Sequence, residues 1–122
     1  MPAADFQHLR LSMVKDVAVV EIRTRDLQGP MLAQELSAEL ALVTAQEWAR
    51  RLRVDFRGVV YLSSTGFAAL FKLVSRTRAE GREVKLCGME TGVRLGAEIV
   101  GLQKLVEIHD DEAAALRTFA RA

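Results

Sequence analysis

The sequence predicts an α/β domain, a mixed and mostly parallel β-sheet of about five strands packed with about four helices. Three observations carry this. Short β-branched runs such as Val17–Ile22 alternate with longer segments whose apolar residues recur every three to four positions. The alternation β-β-α-β-α-β-α-β-α persists to the end of the chain, and such an order requires crossover connections and therefore parallel pairing. The 122 residues, half of them hydrophobic, suit one buried core rather than two, so residues 1–122 read as a single domain with its core over about 9–119.

Each element has a local reason. His8 to Val14 pairs with Val17–Ile22 through a turn at Lys15-Asp16. Thr24 to Pro30 is a loop, because Asp26, Gly29 and Pro30 are turn and helix-start residues. Leu32, Leu36, Leu40 and Val43 share one helical face, giving a helix over about Leu32 to Glu47. Leu52 to Phe56 is a strand, and Gly58 to Leu62 continues it as an apolar connection. Ser63-Ser64-Thr65 then opens a helix whose stripe is Phe67, Leu70, Phe71 and Val74, ending near Glu80 before Gly81. Val84 to Cys87 is a strand. Thr91 is the expected cap of a helix bearing Val93, Ala97 and Val100. Leu105 to Ile108 is the last strand, and Asp110 and Asp111 offer caps for a final helix bearing Leu116 and Phe119.

Composition excludes several functions. Lys plus Arg is 17 and Asp plus Glu is 16, a net charge of +1, which argues against a protein built to hold a nucleic-acid backbone. No apolar run is long enough for a membrane helix, and Met1 to Arg10 lacks the apolar core of a secretory signal, so neither membrane insertion nor export is expected. The single Cys87 rules out an internal disulfide and suits a reducing, cytoplasmic setting. His8 and His109 lie at opposite ends of the chain without metal-ligand spacing, so no metal is expected. Glycine-rich nucleotide motifs are absent, and no cofactor is expected.

The informative segment is Val54-Asp-Phe-Arg-Gly-Val-Val-Tyr-Leu-Ser-Ser-Thr-Gly-Phe67. A strand delivers the chain into hydroxyl residues at a helix N-terminus. Backbone N–H groups there lack intrahelical partners and carry partial positive charge. Such a place holds a ligand phosphate, or tolerates one attached to its own serine, which would add about −1.5 to −2 charge. A plain helix cap explains the same residues, and the local sequence leaves both readings open.

The segment resembles the STAS domain of anti-sigma factor antagonists, in which a strand ending in Asp-Phe or Asp-Leu leads to Asp/Ser-Ser-Ser/Thr/Ala-Gly and then a helix. The residues that carry the resemblance are Val54-Asp55-Phe56, then Tyr61-Leu62-Ser63-Ser64-Thr65-Gly66-Phe67, followed by Glu83–Gly88 and by Val93 to Leu105. The resemblance implies a non-enzymatic switch. Such a protein binds an anti-sigma factor that is also a serine kinase, and thereby frees a sigma factor for transcription. The kinase phosphorylates the serine before the Thr-Gly pair, here Ser64, and a serine phosphatase reverses it. Ser63 occupies the place of the family's usual acidic residue and is the alternative phosphoacceptor. The implied partner surface is Ser63, Ser64, Thr65, Gly66, Phe67 and Met89, on a monomer or weak dimer. The runner-up is a STAS accessory subunit docking the ATPase of a lipid-transport complex. A third reading, a Ser64 nucleophile, lacks a nearby histidine or a Gly-x-Ser-x-Gly elbow.

Other residues have simpler readings. Asp55 is either a partner or magnesium contact or a strand-end acid bonded to backbone. Cys87 reads as an inert core thiol. Arg50-Arg51-Leu52-Arg53 and Arg76-Thr77-Arg78 read as solvated helix ends. Trp48 reads as edge-of-core packing, and His109 as a surface histidine without a partner.

Overall fold

The computed structural model describes residues 4–111 and 114–115. Eight strands and three helices appear among them: β1 (Ala4–Asp5), β2 (Leu9–Val14), β3 (Val17–Ile22), β4 (Asp26–Leu27), α1 (Pro30–Thr44), β5 (Arg51–Asp55), β6 (Tyr61–Leu62), α2 (Ser64–Ala79), β7 (Glu83–Cys87), α3 (Thr91–Ile99) and β8 (Glu107–His109). The main sheet has the order β1-β2-β3-β5-β7-β8, and β4 and β6 form a separate two-stranded sheet. Pairings β1/β2 and β2/β3 are antiparallel, whereas β3/β5, β5/β7 and β7/β8 are parallel. This is the mixed, mostly parallel sheet that the alternation predicts.

The β2–β3 hairpin closes at the expected turn. Lys15 and Asp16 have φ of 48° and 68° between Val14 and Val17, which pair directly. Two positive φ values in a two-residue loop match the right-handed twist of the strands.

Strand period places Ala18, Val20, Ile22, Leu52, Val54, Val84 and Leu86 in one buried cluster. Leu36, Leu40 and Val43 of α1 and Leu70, Leu73 and Val74 of α2 complete it. The alternate strand positions are buried too, but polar: Arg53 is 6% exposed, Asp55 2% and Lys85 8%. Lys85 Nζ donates to Glu107 Oε2 at 2.8 Å across the β7–β8 pair. That hydrogen bond holds the Glu107 carboxyl below its ordinary value; burial opposes it, and a bond from His109 adds to it.

Several boundaries differ from expectation. Helix α1 starts earlier because Pro30 takes the first helical turn, where its missing N–H costs nothing. It stops at Thr44, and Arg82 Nη1 bonds the carbonyls of Gln46 and Ala49 at 2.7 and 2.6 Å, holding the turn that follows. Arg51 and Arg53 therefore lie in β5 and not at a solvated helix end; Arg51 meets Glu83 across the strand pair at 3.5 Å. Arg76 and Arg78 do occupy the last turn of α2. Glu90, not Thr91, caps α3, its carboxylate accepting the Val93 N–H at 3.1 Å. Val100 lies past the end of α3 and is exposed; the apolar face passes instead to the buried Leu102. A 3-10 turn at Leu102–Lys104 delays the last strand to Glu107–His109. Asp111 Oδ1 accepts the Ala114 N–H at 2.7 Å, a cap as expected, whereas Leu116 and Phe119 lie outside the described residues.

The pair β4–β6 was not expected. It joins the loop before α1 to the connection before α2, so both helices leave one short parallel ladder side by side.

Candidate functional site

The Ser63–Phe67 turn is built from the backbone outward. Arg25 O accepts the N–H groups of Val60 and Tyr61 at 2.8 and 3.3 Å, and Leu27 O accepts that of Ser63 at 2.9 Å. These bonds pin the turn against the entry to α1. Ser63 is the cap of α2, with extended backbone at φ −75° and ψ 169°. Its Oγ accepts the Gly66 N–H at 3.3 Å and shares a hydrogen bond with Thr65 Oγ1 at 2.9 Å. Its carbonyl accepts the Phe67 N–H at 2.9 Å, so Ser63 is fully engaged.

Ser64 is the first helical residue, is exposed, and makes no side-chain hydrogen bond among the described residues. Thr65 beside it is also exposed. The two adjacent serines are thus chemically distinct: one hydroxyl closes the helix, and the other is presented to solvent at its positive end.

Gly66 and Phe67, expected on the partner surface, are buried instead. A Cβ on Gly66 would lie 2.4 Å from Leu62 Cδ1, and Leu62 is itself in the core, so the close approach of turn and strand requires glycine. The Phe67 ring packs on α3, with Cε2 and Cζ each 3.0 Å from where a Cβ on Gly96 would stand. Both residues hold the turn rather than line it. Met89 is half-buried against the core beside the exposed cap Glu90.

Asp55 takes the backbone role. It is 2% exposed, and its Oδ1 accepts the Arg57 N–H at 2.9 Å. Gly88, at φ +73°, passes so close that a Cβ would sit 2.7 Å from that oxygen. His109 does have a partner, Glu107 Oε1 at 2.9 Å. Trp48 packs at the edge of the core as expected. His8, expected at the start of the first strand, stands just before β2; it is 5% exposed and lies between Thr24 Oγ1 at 2.6 Å and Glu35 Oε1 at 2.9 Å, tying the entry of β2 to α1.

Cys87 is fully buried, and its thiol is pushed up to about 12 by burial, with Asp55 adding to it. At pH 8 iodoacetamide should therefore label Cys87 roughly a thousandfold more slowly in the folded protein than in urea, in proportion to the thiolate present. The unfolded thiol releases its proton near the ordinary value of 9.0, whereas the folded one keeps it to about 12. Its contribution to stability is complete below the first value and is lost as pH rises toward the second. Equal labelling rates would contradict this placement.

Sequence reasoning missed exposed apolar residues near this end of the molecule. Met31 in the first turn of α1 is 73% exposed, and Val60 and Tyr61 before the turn are each 50% exposed. Amphipathic periodicity says nothing of residues in a two-residue strand or at a helix start.

The profile of the STAS domain family matches residues 20–115. The chain belongs to the STAS domain family. A Thermotoga maritima structure described as a candidate anti-sigma factor antagonist superposes on this STAS domain with a TM-score of 0.80 at 12% identity, over 92% of this chain and 94% of that one. The phosphorylated form of the Bacillus cell-fate determinant SpoIIAA gives 0.66 at 14% identity, over 90% and 98% of the two chains. The murine anion transporter Slc26a9 in its inward-facing state gives 0.69 at 16% identity, over 89% of this STAS domain and 18% of the transporter. At these identities the likeness is one of fold. No curated protein matches the sequence. No helix among the described residues is long and apolar enough to cross a membrane.

Proposed function

We propose that this STAS domain is an anti-sigma factor antagonist that works by partner switching in the cytoplasm. It binds an anti-sigma factor serine kinase through the surface around Ser64 and so frees a sigma factor. Phosphorylation of Ser64 ends binding, and a serine phosphatase restores it. The domain is then a substrate and a switch, not an enzyme.

The observation that carries the reading is the division of labour between the two serines. Ser64 offers an unengaged, exposed hydroxyl, whereas Ser63 spends its own on the helix cap. A phosphate on Ser64 meets the positive end of α2, so the domain accommodates it. A phosphate on Ser63 would break the cap bond to Gly66. The likeness of the fold to phosphorylated SpoIIAA supports the same reading. Ser63, Thr65 and Met89 border the contact, while Gly66 and Phe67 keep its backbone in place. Docking to the ATPase of a lipid-transport complex is the competing role, and it requires no phosphate.

The test is phosphosite mapping after incubation with ATP and the host's serine-kinase anti-sigma factor. Phosphate is expected on Ser64, lost in Ser64→Ala and retained in Ser63→Ala, which should cost about 1 kcal/mol of stability through its missing cap. Incorporation that survives Ser64→Ala and disappears in Ser63→Ala would overturn the assignment.

A further inference from the structure

Helices α1 and α2 leave an open groove along their outer seam, beginning at Thr65 beside the Ser64 turn. It holds about 450 Å³ at that end and about 210 Å³ further along, where Arg76 lines it. Its floor is Ala33, Ser37 and Ala41 from α1 with Ala68 and Ala69 from α2, side chains short enough for another backbone to come close. From Thr65 to Arg76 the floor runs for about 16 Å at the rise of an α-helix, roughly three turns.

The rim carries charge of one sign. Lys72 and Arg76 line the groove four residues apart on α2, and neither side chain makes a hydrogen bond or ion pair among the described residues. Helix α2 contains no acidic residue. The carboxylates of α1 that could neutralise the rim are engaged elsewhere: Glu35 bonds the His8 ring, and Glu39 accepts the His8 backbone N–H at 2.8 Å. Arg78 is turned away to Leu105 O at 2.6 Å.

We propose that this groove docks an acidic helix of a partner protein, its small or apolar side on the Ala-Ser floor and carboxylates one turn apart over Lys72 and Arg76. Four-residue spacing on the rim matches the same spacing on a docked helix, so two charge pairs form in register. The groove adjoins the phosphate switch at Thr65 but carries its own recognition, because the charge pairs at Lys72 and Arg76 form whether or not Ser64 is modified. The complementary charge accelerates encounter and selects against basic partners, and the pairing weakens with salt.

The experiment is an amide NMR titration of the full chain with a synthetic helical peptide of about 20 residues, long enough to hold helix in water. The peptide carries glutamates four apart on an alanine-leucine-glutamine background, and its counterpart carries lysine at the same places. Shifts are expected at Ala33, Ser37, Ala41, Ala68 and Ala69 with the acidic peptide only. Affinity should fall at least about tenfold in Lys72→Glu/Arg76→Glu and less in Lys72→Gln/Arg76→Gln, with thermal unfolding of both variants close to wild type. Absence of shifts at millimolar peptide, shifts centred on the Arg50–Arg51 end of β5, or affinity unchanged by the double reversal would each overturn the proposal.

Discussion

Ser64→Glu should weaken binding of the serine-kinase anti-sigma factor by about 2–4 kcal/mol, roughly thirtyfold to a thousandfold. The loss has its origin in the interface. A carboxylate carried into a surface that the partner must desolvate loses its water and meets fixed partner groups that complement a neutral hydroxyl. Within the domain the same charge is harmless. Ser64 is exposed and spends no hydrogen bond, and an acid in the first turn of α2 interacts favourably with the helix dipole by about 0.3–1 kcal/mol. Thermal unfolding should therefore be unchanged or slightly raised. Titration calorimetry on wild type and variant reads the affinity, and equal values would contradict the role given to this serine. Ser63→Glu should behave differently, losing both affinity and stability, because the Ser63 hydroxyl closes the helix.

Phe67→Ala should cost about 3–5 kcal/mol of stability, the usual range for emptying a buried aromatic site. Phe67 is 7% exposed and is the contact between the first turn of α2 and Gly96 of α3. Removing the ring leaves a cavity between the two helices that flank the Ser64 turn. In urea unfolding the midpoint should fall while the slope stays constant. Phe67→Leu, which fills part of the space, should cost less. A loss below about 1 kcal/mol would mean that the ring is not the anchor its burial indicates.

The residues reveal much of this fold for a definite reason. Val17 to Val20 and Ile22, Leu52 and Val54, and the stripe Phe67, Leu70, Val74 have patterns that local chemistry imposes, and all of them are buried. The β4–β6 ladder is illegible in the same terms. Its strands are two residues each, and their pairing joins the loop before α1 to the connection before α2, so neither segment carries a period. Yet that ladder places the Ser63 turn beside α1 and so creates the groove.

Capping was legible in kind and not always in place. Ser63 and Asp111 cap as their residue types suggest, but the longer Glu90 reaches back to Val93 and displaces Thr91 from the role. The burial of Arg53, Asp55 and Lys85 was hidden because sequence marks them as charged. Pairing of the strands stands Arg53 opposite Lys85 and Lys85 opposite Glu107, whose carboxylate accepts from the Lys85 ammonium, and no local pattern encodes that register. The distinction between Ser63 and Ser64 was equally hidden. Adjacent identical residues differ only through backbone geometry, which hands one hydroxyl to the cap and leaves the other free.

The most direct test of the central claim is a paired capture from the native host, with wild type and Ser64→Glu as baits and the retained proteins identified by mass spectrometry. Recovery of a serine-kinase anti-sigma factor by wild type alone is the predicted result. Recovery of a transport ATPase by both baits would contradict it and make Ser64 an ordinary residue at the start of a helix.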